Sequence, residues 1–311
     1  MSGVLDLALQ NLNPDRTRSM LEAGSWPVPL EPAPWPVAGV DFVLRKDHPG
    51  HLAEVPDAPP WLFVRGELPA VQGVAIIGSR RGTRYGLEIA ERLGATLGAA
   101  GWPVVSGLAR GIDAAAHRGC VGAGAPTVAV LGSGIDSFYP KSNSELGRRI
   151  LEGGGAIVSE FGPGAPPEPW RFPARNRIIS GLAGVVVVVE AAVRSGALIT
   201  ANLALAQGRE VVAVPGDLSR STSEGCNRLI RDGAQVLVDI DEAVELVEML
   251  MGPAPRGSSR AGPVPEFGTL PATIEELTER TGESLADVMM AVAKAVASGS
   301  LVVSEGVVRM A

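Results

Sequence analysis

The sequence predicts an α/β fold, with a doubly wound parallel sheet followed by a small domain of winged-helix outline. Apolar runs of strand length alternate with helical patterns over residues 71–238. Residues 185–189 are all valine, as expected of a strand that is buried on both faces of a parallel sheet. A stretch rich in glycine, proline and serine, residues 252–268, predicts a flexible linker before the last part of the chain.

The individual elements follow from periodicity and from the glycine, serine and proline residues that end most strands. The first 40 residues carry one short helical pattern, at about 4–21, and then a proline-rich run that predicts an extended linker. Residues 61–64 predict a strand that covers an edge of the main sheet. The strands of the sheet are predicted at 73–77, 102–105, 127–131, 156–159, 185–189, 210–214 and 235–238, and its helices at about 85–101, 112–121, 144–153, 177–182, 195–207 and 225–233.

The turn after the first strand of the sheet predicts an anion site. Arg80 stands between that strand and its helix, and Arg110 has the same place after the second strand. Helix N-termini and free backbone N–H groups gather at the carboxyl ends of parallel strands, and both favour anions. The glycines of the first turn are four residues apart, which is not the G-x-G-x-x-G spacing of a dinucleotide site, and the chain has no Gly-Lys pair for a P-loop. Arginines in this place can instead grip a phosphodiester backbone.

The distribution of charge is consistent with a nucleic-acid partner. The chain of 311 residues has a net charge of −7, but residues 71–235 contain 17 Lys and Arg against 13 Asp and Glu. Basic charge is therefore concentrated in the region of the predicted sheet. Two cysteines, with no basic-then-apolar leader and no apolar stretch of membrane-spanning length, predict a soluble protein of the reducing cytoplasm.

Two later segments place hydrogen-bond donors and an aromatic side chain near strand ends. Lys141 and Asn143 precede a helix after the third strand, and four polar residues surround Phe172 after the fourth. Either segment alone would be interpreted as a solvated face above core aromatic residues. Together with the arginine turns, they predict a basic groove with an aromatic platform, as single-stranded nucleic acid requires. The residues around Phe172 are Arg171, Arg175, Asn176 and Arg177.

Few residues indicate catalysis or a metal, and neither a cofactor nor a metal is predicted. His117 lies among alanines in a helical pattern, and no serine has the G-x-S-x-G context of a nucleophile. His48 and His51 have no third ligand at a suitable spacing and are interpreted as surface histidines. Hydrogen-bonding roles are predicted for four acidic residues near strand ends, which match no metal-binding pattern. They are Asp113, Glu160, Glu190 and Asp217.

The end of the chain predicts two helices and a hairpin. Thr273 and Ser284 each stand before a helical pattern, and two short strands flank Glu305-Gly306. Residues 271–311 hold six acidic and three basic residues, so contact with a protein is predicted in preference to phosphate binding. The predicted organisation is a helical appendage with a proline-rich linker at 1–40, the α/β domain at 41–250, a flexible linker at 251–270 and a winged-helix-like domain at 271–311.

Six segments carry a more specific signal than any single glycine motif. They are GSRRGTRYG (78–86), SGLARGID (106–113), LGSGIDSFYPKSN (131–143), FPARNRIISGLA (172–183), SGALITA (195–201) and VPGD (214–217). In this order they resemble the DNA-processing protein A family (DprA, also called Smf). The segment 47–68 is similar to the lead-in of that family, and the end of the chain resembles its winged-helix appendage.

The resemblance implies an extended Rossmann-like core that binds single-stranded DNA without strong sequence preference and forms a homodimer. It implies no catalysis, but the loading of RecA recombinase onto incoming DNA in natural transformation and recombination, with single-strand-binding protein as a further partner. Transferred position by position, the DNA-binding residues are Ser79 and Arg80 of GSR, Arg110 of SGLARGID, Lys141 and Asn143 of YPKSN, and Phe172, Arg175, Asn176 and Arg177 of FPARNR.

The alternative class is a Rossmann-like nucleotide or phosphoribosyl hydrolase, which would bind a phosphoribosyl group at the same sheet edge. Enzymes of that kind carry a P-G-G-x-G-T turn with a catalytic acid nearby. The corresponding segment here, residues 190–201, reads EAAVRSGALITA. The absence of that turn favours a binding protein.

Overall fold

The structure is a computed structural model that describes residues 2–24, 37–254, 271–281, 288–289, 292, 301–304 and 307–310. Contacts divide the chain into two units, Met1–Pro255 and Arg256–Ala311. Among the described residues, no helix combines the length and the apolar character needed to cross a membrane.

The described residues of the first unit form one sheet of nine strands. These are β1 Asp41–Leu44, β2 Trp61–Gly66, β3 Gly73–Ile77, β4 Val104–Ser106, β5 Thr127–Val130, β6 Ala156–Ser159, β7 Ala183–Val188, β8 Glu210–Ala213 and β9 Gln235–Val236. Their order across the sheet is β1-β2-β6-β5-β4-β3-β7-β8-β9. β2 is antiparallel to β1 and β6, and all other neighbours are parallel.

Helices cover both faces of this sheet, which confirms the predicted doubly wound α/β fold. They are α1 Ser2–Ala8, α2 Pro14–Ala23, α3 Gly50–Ala53, α4 Arg84–Ala99, α5 Ile112–Gly122, α6 Ser144–Glu152, α7 Arg171–Gly181, α8 Gly196–Ala206, α9 Glu224–Arg231 and α10 Ala243–Met251. One core cluster lies between the sheet and α3, α7, α8 and α9, and another between the sheet and α4, α5 and α10. The chain proceeds outward from β3 to β6 and then returns to β7 on the other side of β3. The strand order therefore reverses between β3 and β7, where open α/β sheets form a binding crevice.

The start of the chain differs from the single helix that its pattern predicts. Asn11 has a left-handed backbone with φ of +54°, which ends the first helical segment. Asn13 then caps α2, because its side-chain oxygen accepts a hydrogen bond from the N–H of Arg16 at 2.8 Å. Leu7 and Leu9 are buried in a third core cluster, which also contains side chains from the loops after β4 and β5. The segment is thus packed into the first unit.

Other elements also depart from prediction. β1, α3 and α10 have no counterpart among the predicted elements, although β2 occupies its predicted place. α7 begins at Arg171, six residues before the predicted start at residue 177, and so includes Pro173. Proline fits the first turn of a helix because the backbone N–H groups there have no intrahelical acceptor.

His48 is a correction, since the sequence interprets it as a surface residue. Its side chain is 6% exposed, and its Nε2 lies 3.3 Å from the carbonyl oxygen of Val43. Burial lowers its pKa below 6.5. His51 is half-buried, and burial together with the nearby Arg209 guanidinium lowers its pKa to about 4.

In the second unit, β10 (Ala272–Thr273) and β11 (Leu301–Ser304) pair antiparallel with β12 (Val307–Met310), and α11 spans Ile274–Thr281. Thr273 caps α11 as predicted: its hydroxyl accepts from the N–H of Glu276, and the Glu276 carboxylate accepts from the N–H of Thr273. The predicted helix after Ser284 falls largely outside the described residues, as do the turn at Glu305-Gly306, most of the 251–270 linker and the proline-rich run at 25–36. The winged-helix outline therefore stays a prediction.

Candidate nucleic-acid interface

The loops that follow β3 and β4 lie side by side at the carboxyl edge of the sheet. The N–H of Ile112, at the start of α5, donates to the carbonyl oxygen of Ser79 at 3.2 Å. Gly111 makes this approach possible: a Cβ there would lie 2.2 Å from the Ser79 oxygen, and its φ is +79°. Arg80 and Arg110 are exposed on these two joined loops. The fold therefore places them at one edge, as predicted.

Phe172, at the start of α7, connects the first loop with the loop after β5. The guanidinium carbon of Arg80 lies 5.1 Å from the centroid of the Phe172 ring. The ring of Tyr139 is 5.5 Å from that of Phe172 between centroids, and Tyr139 is 45% exposed. Gly132 lies beneath, since a Cβ there would be 2.7 Å from the Phe172 ring. The result is a partly exposed pair of aromatic rings with a cation over one of them.

Lys141, in the loop after β5, is a further exposed donor at this edge. Asn143 fixes that loop, because its side-chain N–H groups donate to the carbonyl oxygens of Leu108 and Ala109 at 3.0 and 3.2 Å. Within the part of the chain that the structure describes, Arg80, Arg110 and Lys141 have no carboxylate at ion-pair distance. Their charges are available to an anionic ligand at this edge.

Arg175 has a different setting from these exposed cations. Its side chain is buried, and its Nη1 donates to the carbonyl oxygens of Gly107, at 2.7 Å, and of Val130. Burial lowers its pKa to about 10, so it remains charged at neutral pH. The buried carboxylate of Asp113, whose pKa burial raises, accepts from the N–H of Gly107 at 3.1 Å. Arg175 therefore joins the ends of β4 and β5 inside the protein.

Asn176 and Arg177 are also held by the protein. The side-chain oxygen of Asn176 accepts from Nε of Arg175 at 3.1 Å. Arg177 is 6% exposed, and its Nη2 lies 2.7 Å from a carboxylate oxygen of Glu160. Asp57 adds a second carboxylate at 3.8 Å from Nε. The structure thus separates the predicted site into exposed residues at the edge and buried residues that fix α7 beneath it.

Glu190 is a residue of this edge whose partner the sequence did not indicate. It lies directly after β7, at the crevice between β3 and β7, and accepts from the backbone N–H and the hydroxyl of Thr83 at 2.8 and 2.5 Å. Gly86 leaves room for it, because a Cβ there would lie 2.4 Å from the carboxylate carbon. The N-terminus of α4, where such folds bind phosphate groups, is therefore occupied by a side chain of the protein.

Other titratable side chains of the first unit have structural surroundings. His117 is fully buried beside the hydroxyl of Thr127 at 2.8 Å, and burial lowers its pKa to about 3. Cys120 and Cys226 are buried free thiols whose pKa burial raises to about 12. Among the described residues, no group of three His, Cys, Asp or Glu side chains is placed to hold a metal.

The doubly wound sheet defines a Rossmann-like domain, with cations and aromatic rings at the carboxyl edge of the sheet. The helix N-terminus at which such domains bind a dinucleotide is already occupied by a side chain of the protein. Residues 40–248 match the family of DNA recombination-mediator protein A. The chain belongs to this family.

Proteins of the same family are similar to this chain in sequence and in structure. Protein Smf of Escherichia coli K12 is 39% identical over 243 residues, which cover 78% of this chain and 65% of the relative. The chain thus spans a little under two thirds of that protein's length. The X-ray structure of DNA processing protein A from Streptococcus pneumoniae is 40% identical with a TM-score of 0.62, covering 67% of this chain and 74% of that one. A structure of DNA processing protein A from Helicobacter pylori, concerned with its single-stranded DNA binding mode, is 28% identical with a TM-score of 0.60, covering 68% and 97%.

Proposed function

We propose that this protein binds single-stranded DNA along the carboxyl edge of its sheet and loads RecA recombinase onto that DNA in natural transformation and recombination. The observation that carries the proposal is the cluster of Arg80, Phe172 and Tyr139, with Arg110 and Lys141 exposed on the neighbouring loops. Exposed cations can hold phosphates while an accessible ring stacks on an unpaired base. The single-stranded DNA binding mode of the Helicobacter pylori relative supports the same class of ligand here.

The buried members of the predicted site act on DNA through the fold. The guanidinium groups of Arg175 and Arg177 donate hydrogen bonds to carbonyl and carboxylate oxygens of the protein. Their loss would move α7, and with it Phe172, without removing a phosphate contact. The DNA-contacting set in this proposal is therefore Ser79, Arg80, Arg110, Lys141 and Phe172, supported by Asn143, Arg175, Asn176 and Arg177.

A binding role is preferred to the hydrolase alternative because of Glu190 and Thr83. A hydrolase of this fold needs room for a phosphoribosyl group where the strand order reverses. Here the Glu190 carboxylate already satisfies the N–H and hydroxyl of Thr83. An anionic phosphate beside it would be repelled. Release of base or phosphate from nucleotides by the purified chain would favour the enzyme instead.

A homodimer formed through the outer face of α8 completes the proposal. The helix reads GALITANLALA and contains no charged residue. Ala197, Ala201 and Ala204 are buried against the sheet, while Ile199 and Leu205 are 45% and 56% exposed on the opposite side. An uncharged outer face that exposes two large aliphatic side chains beside Asn202 can pack against a second copy of this chain. Leu205→Glu should shift the sedimentation coefficient to that of a monomer, whereas Met249→Glu, on α10 at the other face of the sheet, should not.

DNA binding is tested by titrating a thirty-base oligothymidylate and the matching duplex against salt concentration. Arg80→Ala and Lys141→Ala should each weaken binding to the single strand and reduce the slope of log K against log salt by about 0.7, the value for one phosphate contact. Arg92→Ala is the matched control, because Arg92 is exposed on α4 and lies 3.9 Å from Asp241. Unchanged slopes in both edge variants would refute the assignment of the edge. RecA loading is tested separately, by the rate at which RecA displaces single-strand-binding protein from DNA when the full chain is added.

A further inference from the structure

A second concave region lies on the side of α7 that faces the N-terminal helices. It is a cleft of about 400 Å³ between α2 and the start of α7. Its volume is in the range of small-molecule sites and would hold one planar heterocycle. The lining residues are Asn13, Pro14, Asp15, Arg18, Asp57, Trp170, Ala174 and Arg177.

Trp170 provides an aromatic surface in this cleft. It is 37% exposed, although large aromatic side chains are usually covered. Its indole N–H donates to the carboxylate of Glu168 at 2.8 Å, and its ring meets Phe161 edge to face with centroids 5.5 Å apart. The ring is therefore held in one orientation while a part of it faces solvent.

Arg171 contacts both of these rings. Its guanidinium carbon lies 5.0 Å from the Trp170 centroid and 4.7 Å from the Phe161 centroid, so it packs beside the edge-to-face pair. Arg171 is 4% exposed and donates to the carbonyl oxygens of Pro166, at 2.8 Å, and Asn11, at 3.2 Å. The cation is thus part of the wall and is not available to a ligand.

The charge of the cleft indicates which group it would accept. Asp15 and Asp57 offset Arg18 and Arg177, so the lining is neutral in sum and presents both donors and acceptors. Carboxylates oppose a phosphate, whereas a neutral ring with donors and acceptors on its edges would suit the cleft. Trp170 also lies two residues before Phe172, the aromatic residue of the DNA edge.

We propose that the cleft is a second base-binding subsite, in which Trp170 stacks on one nucleobase of a DNA strand whose neighbouring part lies at Phe172. This inference rests on the proposed function and adds to it a second position at which the strand is held through a base. The phosphates remain at the edge loops, and the cleft receives a neutral base. Stacking of this kind tolerates any base, because every base has a π face.

The test uses the full-length protein and twenty-base oligothymidylates that carry one abasic site, moved along the strand. Two separate positions should each lower the affinity of the wild-type protein, one for Phe172 and one for Trp170. In Trp170→Ala the second position should lose its effect, and the affinity for the intact strand should fall about tenfold. Trp170→Phe should restore most of the affinity, since a smaller ring still stacks, and Met249→Ala, an exposed apolar residue on α10, should change nothing.

Each outcome bears on the proposal. A single sensitive position in the wild type overturns the second subsite, and so does a folded Trp170→Ala variant with the wild-type profile. If Trp170→Ala lowers the melting temperature, Trp170→Phe is the variant that tests the proposal. An abasic site at the second position must then still lower the affinity of Trp170→Phe, though by less than in the wild type. A wild-type protein that binds no single strand would overturn the proposed function itself, whereas normal binding with one sensitive position would overturn the cleft alone.

Discussion

Thr83 donates its backbone N–H and its hydroxyl to the carboxylate of Glu190, at 2.8 and 2.5 Å. The same hydroxyl accepts from the N–H of Gly86 at 3.1 Å and so caps α4. The pair joins the loop after β3 to the end of β7 across the point where the strand order reverses. It places the negative charge of a carboxylate side chain where related folds bind the phosphate group of a ligand. It also anchors the loop that carries Arg80.

Replacement of Glu190 with alanine should open this anion position. The free energy of unfolding should fall by about 1–3 kcal/mol, because the Thr83 donors lose their charged acceptor. Inorganic phosphate should then raise the melting temperature of Glu190→Ala, but not that of the wild type, since a phosphate can enter the vacated position. Thermal unfolding with and without phosphate measures both effects.

Two further variants control this experiment. Glu190→Gln keeps one acceptor for the Thr83 N–H and should lose less stability than Glu190→Ala. Glu88→Ala removes an exposed carboxylate from α4, the helix that Thr83 caps, and should show neither effect. A Glu190→Ala variant with wild-type stability and no response to phosphate would contradict the assigned role.

Arg177→Met should show that Arg177 stabilises the fold and does not contact a phosphate. The change leaves the buried Glu160 carboxylate without its partner at 2.7 Å, and breaking a buried pair typically costs about 3–5 kcal/mol. Binding to single strands should weaken together with stability, but the salt slope should stay at the wild-type value, because no phosphate contact is lost. Chemical denaturation and salt titration of the same sample measure the two effects.

The double variant Arg177→Met with Glu160→Met separates pairing from packing. It removes both charges and should recover part of the stability that the single change loses, because no unpaired charge remains buried. A salt slope reduced by about 0.7 in Arg177→Met would instead show that this arginine reaches a phosphate.

The alternation of apolar runs was sufficient to predict the sheet, because each strand of a buried parallel sheet is continuous in sequence. The fully buried strand at 185–189 and the strands at 73–77 and 156–159 needed no information from distant residues. β1 could not be predicted in this way, since it is a short edge strand that depends on pairing with β2. Composition identified the basic region, and the motifs identified the family.

The roles of the arginines in α7 could not be read from the same patterns. Whether an arginine faces solvent depends on where the helix begins and on which carbonyl groups lie opposite. Arg175 meets Gly107, and Thr83 meets Glu190 from 107 positions away in sequence. Both contacts are products of the tertiary fold, so the motif that names Arg175 and Arg177 as DNA-binding residues cannot show that their guanidinium groups meet oxygen atoms of the protein.

Acid should destabilise the protein below about pH 6.5. The pKa values of His48, His51 and His117 are all lowered, chiefly by burial, and that of His117 falls to about 3. The folded protein therefore binds fewer protons on these histidines than the unfolded chain does, so stability is fully present above pH 6.5 and is lost as the pH falls. Asp113 acts in the opposite sense, because its pKa is raised in the folded protein.

Denaturant unfolding between pH 7 and pH 5 measures this loss. Each fully neutral buried histidine contributes a slope approaching about 1.4 kcal/mol per pH unit once the pH is below 6.5. His117→Asn should lower the slope by up to one such contribution, whereas a variant at an exposed position such as Met249→Ala should keep the wild-type slope. A stability that is level from pH 7 to pH 5 would contradict the histidine account.

Phe172→Ala should distinguish single from double strands. If the ring between Arg80 and Tyr139 stacks on an unpaired base, its loss should cost about 1–3 kcal/mol of binding to a thirty-base strand. Binding to the matching duplex should hardly change, because paired bases keep their faces hidden. Arg80 should remain at the edge, so the salt slope for single strands should stay close to that of the wild type.

The competing explanation is that Phe172 acts by packing, since it lies against Gly132 and is only partly exposed. In that case Phe172→Ala would lower the melting temperature and weaken binding to both kinds of DNA together. Phe172→Leu separates the two explanations, because leucine restores apolar volume without an aromatic face. If the Leu variant keeps the wild-type melting temperature but loses as much single-strand affinity as Phe172→Ala, the ring acts by stacking. One with wild-type affinity removes the ring from the site and leaves an edge that binds by charge alone.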